Sequence, residues 1–192
     1  MYKPISRVSS NLTEKIVLIP DFLERDGYYW ERYICHKEIQ SISEGKDFYI
    51  NMGRLLCIAY VLNISDLHFE NLIAFGKKPV LVDVETIWSI GAYPVMAAED
   101  STRILIEKNY DSILNTGLLP ISSLNQSFGG DTSGILGGKF IGEVRDVVNL
   151  YRDDIHIERK EIEKETFNHL PFIKTKDGNK YLKASEYLEY IF

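Results

Sequence analysis

The residues best placed to do chemistry lie in "SDLHFENLIAFGKKPVLVDVET", residues 65 to 86. Asp66 is followed five residues later by Asn71 and twelve residues after that by Asp83. Phosphoryl transfer from ATP asks little covalent help of a protein. It needs a carboxylate to orient an attacking hydroxyl and take its proton, and oxygen ligands for the Mg²⁺ that holds the phosphates. Magnesium keeps several waters, so one carboxylate and one amide oxygen are a sufficient contribution. Protein kinases meet this need with an Asp-x-x-x-x-Asn loop and a metal-binding Asp beyond a hairpin. Asp66, Asn71 and Asp83 have that spacing. His68, two residues past Asp66, can share a phosphate or hydroxyl with it. Glu85, two past Asp83, faces the same way on a strand, and paired carboxylates on one face favour a cation between them.

Each of these residues alone has a plainer reading, since Asp and Asn are common at caps and turns. The joint pattern is much more specific. Lys3 in "YKPIS" is by itself a solvated charge. With the downstream motif it fits the strand lysine that kinase-like folds place against phosphates. The glycine-rich "GGDTSGILGGKF" fails as a phosphate-binding P-loop, because Ser133 stands where the first glycine belongs and Phe140 follows Lys139. It is expected to be a flexible surface loop with Asp131 as a turn residue. His36, His156 and His169 lack metal spacing, and His169 in "NHLP" reads as structural. Ser9 and Ser10 lack a nucleophile-elbow context. Arg103 and Arg145 read as helix-surface charges.

The elements that must hold this motif follow from periodicity. "KDFYINMGRLLCIAYVLN" is the clearest helix, with Phe48, Met52, Leu55, Leu56, Ala59 and Leu62 on one face. It delivers the chain into "SDLHFEN". "NLIAF" and "PVLVDV" are short β-type runs joined by "GKK", a predicted hairpin. A further helix is expected after an N-cap at Asp26, anchored by Trp30 and Ile34. Another is expected over 100–116, anchored by Ile104, Tyr110, Ile113 and Leu114 and stopped by Gly117. Helical spacing also runs through "KFIGEVRDVVNLY". "DDIHIERKEIEKE" begins like a strand, and "KYLKASEYLEYIF" reads as a helix.

Composition sets the class. The chain has 192 residues, 45% of them hydrophobic and 26% charged, which suits one globular domain or part of a larger one. Its net charge of −6 argues against a nucleic-acid surface. Cys35 and Cys57 form no zinc motif and are expected to be buried free thiols in a reducing cytosol. No signal peptide and no apolar run of membrane-spanning length is visible, so the expected location is the cytoplasm.

"YKPIS", the long stretch from "FYINMGRLL" to "DVETIW", "SILNTGLLP", "GDTSGI" and "NHLP" occur in an order that resembles the dehydratase domain of class II lanthipeptide synthetases, the LanM type. The resemblance covers essentially the whole chain. It implies an α+β, kinase-like fold related to lipid kinases, with a mostly helical C-lobe and a short β-hairpin carrying the motif. It implies phosphorylation of Ser and Thr in a leader-bearing precursor peptide by ATP and Mg²⁺, then elimination of phosphate to leave dehydroamino acids. Carried over by position, Lys3 contacts phosphate and assists elimination. Asp66 and His68 serve phosphorylation, with Asp66 as general base, and Asn71, Asp83 and Glu85 complete the metal and phosphate site.

The family domain is several times longer. Its upstream Asp and His, its downstream Arg/Thr element and its zinc cyclase domain have no counterpart here. The chain is therefore expected to be one partial dehydratase domain over 1–192, inactive in isolation and partnered by the remaining synthetase domains. Apolar surface is expected to be left uncovered at "GYYWERY" and "YLEYIF". Two other readings remain open: a small-molecule kinase of the aminoglycoside-phosphotransferase type, and a non-catalytic peptide-binding remnant. "NTGLLP", "GDTSGI" and "NHLP" have no reason to occur in the former.

Overall fold

The computed structural model describes residues 19–83, 112–121 and 130–192. Lys3, Glu85, Arg103 and most of the expected 100–116 helix lie outside them.

One long helix organises the core. Helix α1 spans Ile42–Val61. Ser41 caps it, its hydroxyl accepting from Glu44 N at 3.3 Å, while the Glu44 carboxylate accepts from Gln40 N at 2.7 Å. This reciprocal pairing satisfies N–H groups that have no partner within the helix. Phe48, Tyr49, Met52, Leu55, Leu56 and Ala59 are all buried, as the helical spacing requires. Asn63 ends the helix in the left-handed region, φ 51°, and Ile64 N donates back to Ala59 O at 2.8 Å. The chain is thereby turned into Ser65 and Asp66.

The hairpin expected next is present as β3 (Leu72–Phe75) and β4 (Lys78–Leu81), paired antiparallel with Leu72 opposite Leu81. Gly76, φ 60°, opens its two-residue turn. The outer edge of β3 is held by two other segments. Lys37 N donates to Ala74 O at 2.9 Å, Gly76 N to Lys37 O at 3.0 Å, and Ala74 N to Asn168 O at 2.7 Å. Leu72, Ala74 and Leu81 join the α1 core, together with Leu67, Leu118, Ile135 and Leu182.

Elsewhere strands replace expected helices. Residues 26–38 do not form a helix. Phe22–Arg25 (β1) and Tyr28–Glu31 (β2) pair as a hairpin about Gly27, φ 80°. The signal was "DG" between alternating residues, a turn pair that outweighs an N-cap reading of Asp26. Trp30 is 67% exposed and is no core anchor, and Ile34 is only partly buried. After the two-residue β5 (Gly130–Asp131), "KFIGEVRDVVNLY" is not helical either. Lys139–Val148 is strand β6, paired along its length with β7, His156–Glu165. Cross-strand ion pairs Lys139–Glu163 at 2.6 Å and Lys160–Asp146 at 3.3 Å favour the register.

The described end of the 100–116 segment is a single 3-10 turn, Ile113–Thr116, capped by Ser112 and stopped at left-handed Gly117 as expected. Ile113 is exposed, and the buried residues here are Thr116 and Leu118. "KYLKASEYLEYIF" is divided. Strand β9 (Gly178–Tyr181) pairs with β8 (Phe172–Thr175), then come a 3-10 turn and the short helix α2, Leu188–Ile191, which packs on α1. Both cysteines are free, as expected, but both are exposed rather than buried. Among the described residues no helix is long and apolar enough to cross a membrane.

Candidate functional site

Hydrogen bonds of Asn71 tie the loop between α1 and β3 to the segment that follows β4. Asn71 Nδ2 donates to the Asp66 carbonyl at 3.0 Å, closing the loop on itself. Val82 N donates to Asn71 O at 2.9 Å, which seats Asp83 one residue beyond the position opposite Asn71. Asn71 is buried, whereas Asp66 and Asp83 are exposed. With its amide nitrogen committed to Asp66, Asn71 keeps Oδ1 as the group that can ligate a cation. Asp66 and Asp83 both adopt left-handed backbone, φ 64° and 59°. That region is uncommon for any residue but glycine and disfavoured least for Asn and Asp. Two such residues flanking one hairpin mark a backbone held by its surroundings.

His68 is oriented with equal care. Its Nδ1 accepts from Glu70 N at 3.1 Å, so in the neutral ring the proton sits on Nε2. Nε2 lies 3.7 Å from Asp66 Oδ1. The imidazole Nε2 therefore lies on the carboxylate's side of the ring, just beyond direct hydrogen-bond distance. Glu31, on β2, also senses the site. Burial, and secondly the negative charge of Asp83, push its carboxyl above the usual carboxylate range. The far end of the aromatic hairpin thus lies near Asp83.

The glycine-rich segment is the chief surprise. It is no flexible surface loop. Phe69 N donates to Thr132 O at 3.2 Å, Gly134 N to Gly117 O at 3.2 Å, and Ile135 N to Leu118 O at 3.1 Å. His68 and Ser133 form an antiparallel bridge. Asp131 is the expected turn residue, its Oδ1 accepting from Ser133 N at 2.8 Å. A side chain at Gly134 would overlap the Leu67 carbonyl oxygen and lie 2.6 Å from Leu72 Cδ1. The glycines allow this segment to press directly on the backbone of the Asp66–Asn71 loop.

His169 is structural, as expected, but its environment is unusual. It is 1% exposed, its ring centroid lies 6.0 Å from that of Phe69, and neither ring nitrogen makes a hydrogen bond of good geometry. Burial holds it down to about 4. The Gly137 backbone and Asp131 oppose part of that shift, and His36 adds to it.

A family model described as a domain of unknown function, DUF4135, matches residues 2–192. The chain belongs to the DUF4135 family. A curated relative is the lacticin 481/lactococcin biosynthesis protein LcnDR2 of Lactococcus lactis subsp. lactis, 36% identical over 180 residues. The match takes in 94% of the present chain but 19% of the relative, so this DUF4135 chain spans about a fifth of that protein's length. The likeness bears out the resemblance to LanM-type lanthipeptide synthetases read from the residues.

The donor set suits a hard divalent cation in chemistry, being carboxylate and amide oxygen. Among the described residues no three His, Cys, Asp or Glu side chains cluster to hold a metal. The expected set draws instead on an amide, Asn71, with Asp83, and on Glu85, which lies outside those residues. Lys3 likewise has no described position.

Proposed function

We propose that this chain is the phosphoryl-transfer core of a lanthipeptide dehydratase, acting on Ser and Thr side chains of a leader-bearing precursor peptide in the cytoplasm. The observation that carries the reading is the pair of hydrogen bonds made by Asn71. Its side-chain amide donates to the Asp66 carbonyl and its backbone carbonyl accepts from Val82 N, so the backbone at Asp66 and the backbone leading into Asp83 are both tied to one buried residue, which supports a general base and a metal ligand close together. The relative's role in lacticin 481 biosynthesis supports the substrate class. The order of elements (helix, Asp-x-His-x-x-Asn loop, hairpin, Asp) supports a kinase-like α+β fold.

Mg²⁺ bound with ATP would neutralise the phosphates. Asn71 Oδ1 and the Asp83 carboxylate are the described residues that would hold it, completed by Glu85, with Lys3 on a phosphate. Asp66 accepts the proton of the substrate hydroxyl as its Oγ attacks the γ-phosphorus and the bond to the ADP oxygen breaks. His68, with its Nε2–H toward Asp66, steadies the carboxylate in the acceptor orientation. The subsequent loss of phosphate removes the Cα proton and breaks the Cβ–O bond, leaving a dehydroamino acid. That step calls on parts of the longer protein.

The test incubates the chain with ATP, Mg²⁺ and a Ser/Thr-containing leader-bearing peptide, alone and joined to the rest of the synthetase, and reads peptide mass. A gain of about 80 Da marks phosphorylation and a loss of about 18 Da marks dehydration. Unmodified peptide in both arms, with ATP bound, contradicts the reading.

A further inference from the structure

A cleft of about 300 Å³ opens between the end of α1 and the 3-10 turn at 113–116. We propose that it is a subsite for the main chain of the acceptor peptide, held beside Asp66. The inference rests on the phosphoryl-transfer reading and names where its substrate lies.

The cleft is joined to the catalytic loop. Ile64, one of its lining residues, is two residues from Asp66, at most ~7 Å of chain. Thr116, also lining it, accepts Leu67 N through its carbonyl at 2.8 Å. A Cβ on the adjacent Gly117 would lie 3.5 Å from Asp66 Cα. Whatever lies in the cleft is positioned by the same backbone that positions the general base.

Its chemistry selects a neutral polar chain. Ala59, Ile64 and Thr116 form a buried floor, and Tyr60, Asn63 and Asn115 a more exposed rim. Among the described lining residues none is charged. Nucleotide phosphates would need cations there, and a charged side chain would need a counter-ion. Asn115 makes no side-chain hydrogen bond to the described residues, so its carboxamide offers a donor and an acceptor in one plane. A peptide unit presents the matching acceptor and donor. Tyr60, 52% exposed, adds a ring against which a chain can lie and a hydroxyl at its edge. The volume is at the low end for ligand sites, which suits a short extended segment rather than a folded partner.

The experiment titrates the full chain into a fluorescein-labelled twelve-residue peptide of Gly, Ser and Thr. Mg²⁺ and a non-hydrolysable ATP analogue are present, and analogue affinity is measured separately. Asn115→Ala and Tyr60→Ala are each expected to weaken peptide binding about fivefold to tenfold, with analogue affinity unchanged within twofold. A peptide N-methylated at alternate amides should bind the unaltered chain about tenfold more weakly and lose its sensitivity to Asn115→Ala. The comparison of the two peptides on the unaltered chain does not depend on how any variant folds. Equal binding of plain and N-methylated peptide, or peptide affinity indifferent to both substitutions, overturns the subsite. So does an unaltered chain that takes the analogue but no peptide. Failure to bind the analogue while these peptide effects persist would overturn the phosphoryl-transfer reading and leave the subsite standing.

Discussion

Acidification from pH 7 to pH 5 should weaken the fold chiefly through His169. In the native state burial holds this ring down to about 4, against an ordinary value of 6.5. Between those values the unfolded chain binds a proton that the folded chain refuses. Stability therefore rises with pH across this window, is fully present above 6.5, and is lost as pH falls towards 4. At pH 5 the unfolded state gains from protonation almost the whole of 1.5 pH units, and the folded state almost nothing. At about 1.4 kcal/mol per unit this costs roughly 2 kcal/mol relative to pH 7. His36, half-buried and also lowered, acts in the same direction, and exposed His156, raised by the Asp154 carbonyl and Glu158, acts in the opposite one. Comparison with His169→Phe removes the His156 contribution and, apart from its coupling to His169, that of His36. Urea unfolding at pH 7 and pH 5 should show a loss in the parent that exceeds the loss in the variant by roughly 2 kcal/mol. Equal losses would refute the claim that His169 is buried neutral against Phe69 and the glycine segment.

Further outcomes follow from the same contacts. Gly134→Ala places a methyl group on the Leu67 carbonyl and against Leu72. It should destabilise the chain by about 1–3 kcal/mol in urea unfolding, whereas a freely moving loop would accept it at no cost. Asn71→Ala removes the bond to Asp66 and strands its carbonyl. The expected result is a loss of about 1–3 kcal/mol in thermal unfolding together with loss of Mg²⁺-dependent nucleotide affinity. In Asp83→Asn the Glu31 carboxyl should titrate closer to its ordinary value, read by NMR, since the repelling charge is gone while burial remains. An unchanged Glu31 titration would separate the two groups.

The Asp66–Asn71 loop and its hairpin were legible because their signals are local. Helix α1 has a cap, an apolar stripe and a left-handed stop within its own sequence, and the GKK turn fixes β3 against β4. The long ribbon was not legible from spacing. Residues 139–151 carry apolar groups at helical intervals, and what makes Lys139–Val148 a strand is a partner eight to twenty-six residues away, with Lys139 meeting Glu163. Propensity yields to such nonlocal pairing. The aromatic hairpin could have been found from Asp26-Gly27. The exposure of Tyr28, Tyr29, Trp30 and Tyr33 agrees with the expectation of uncovered apolar surface in "GYYWERY". "YLEYIF" is mixed, with Tyr187 and Ile191 buried and Phe192 exposed. The docking of the glycine segment on the Asp66 loop depends on the absence of side chains at Gly134 and Gly137. Composition alone reads such glycines as flexibility.

In the proposed function Asp66, Asn71 and Asp83 gather about one Mg²⁺ and its nucleotide. Calorimetric titration of ATP into the chain, with and without Mg²⁺, tests it most directly. Micromolar affinity that requires the metal and vanishes in Asp83→Ala is the predicted result; no affinity, or an affinity indifferent to Mg²⁺ and to Asp83, would contradict it.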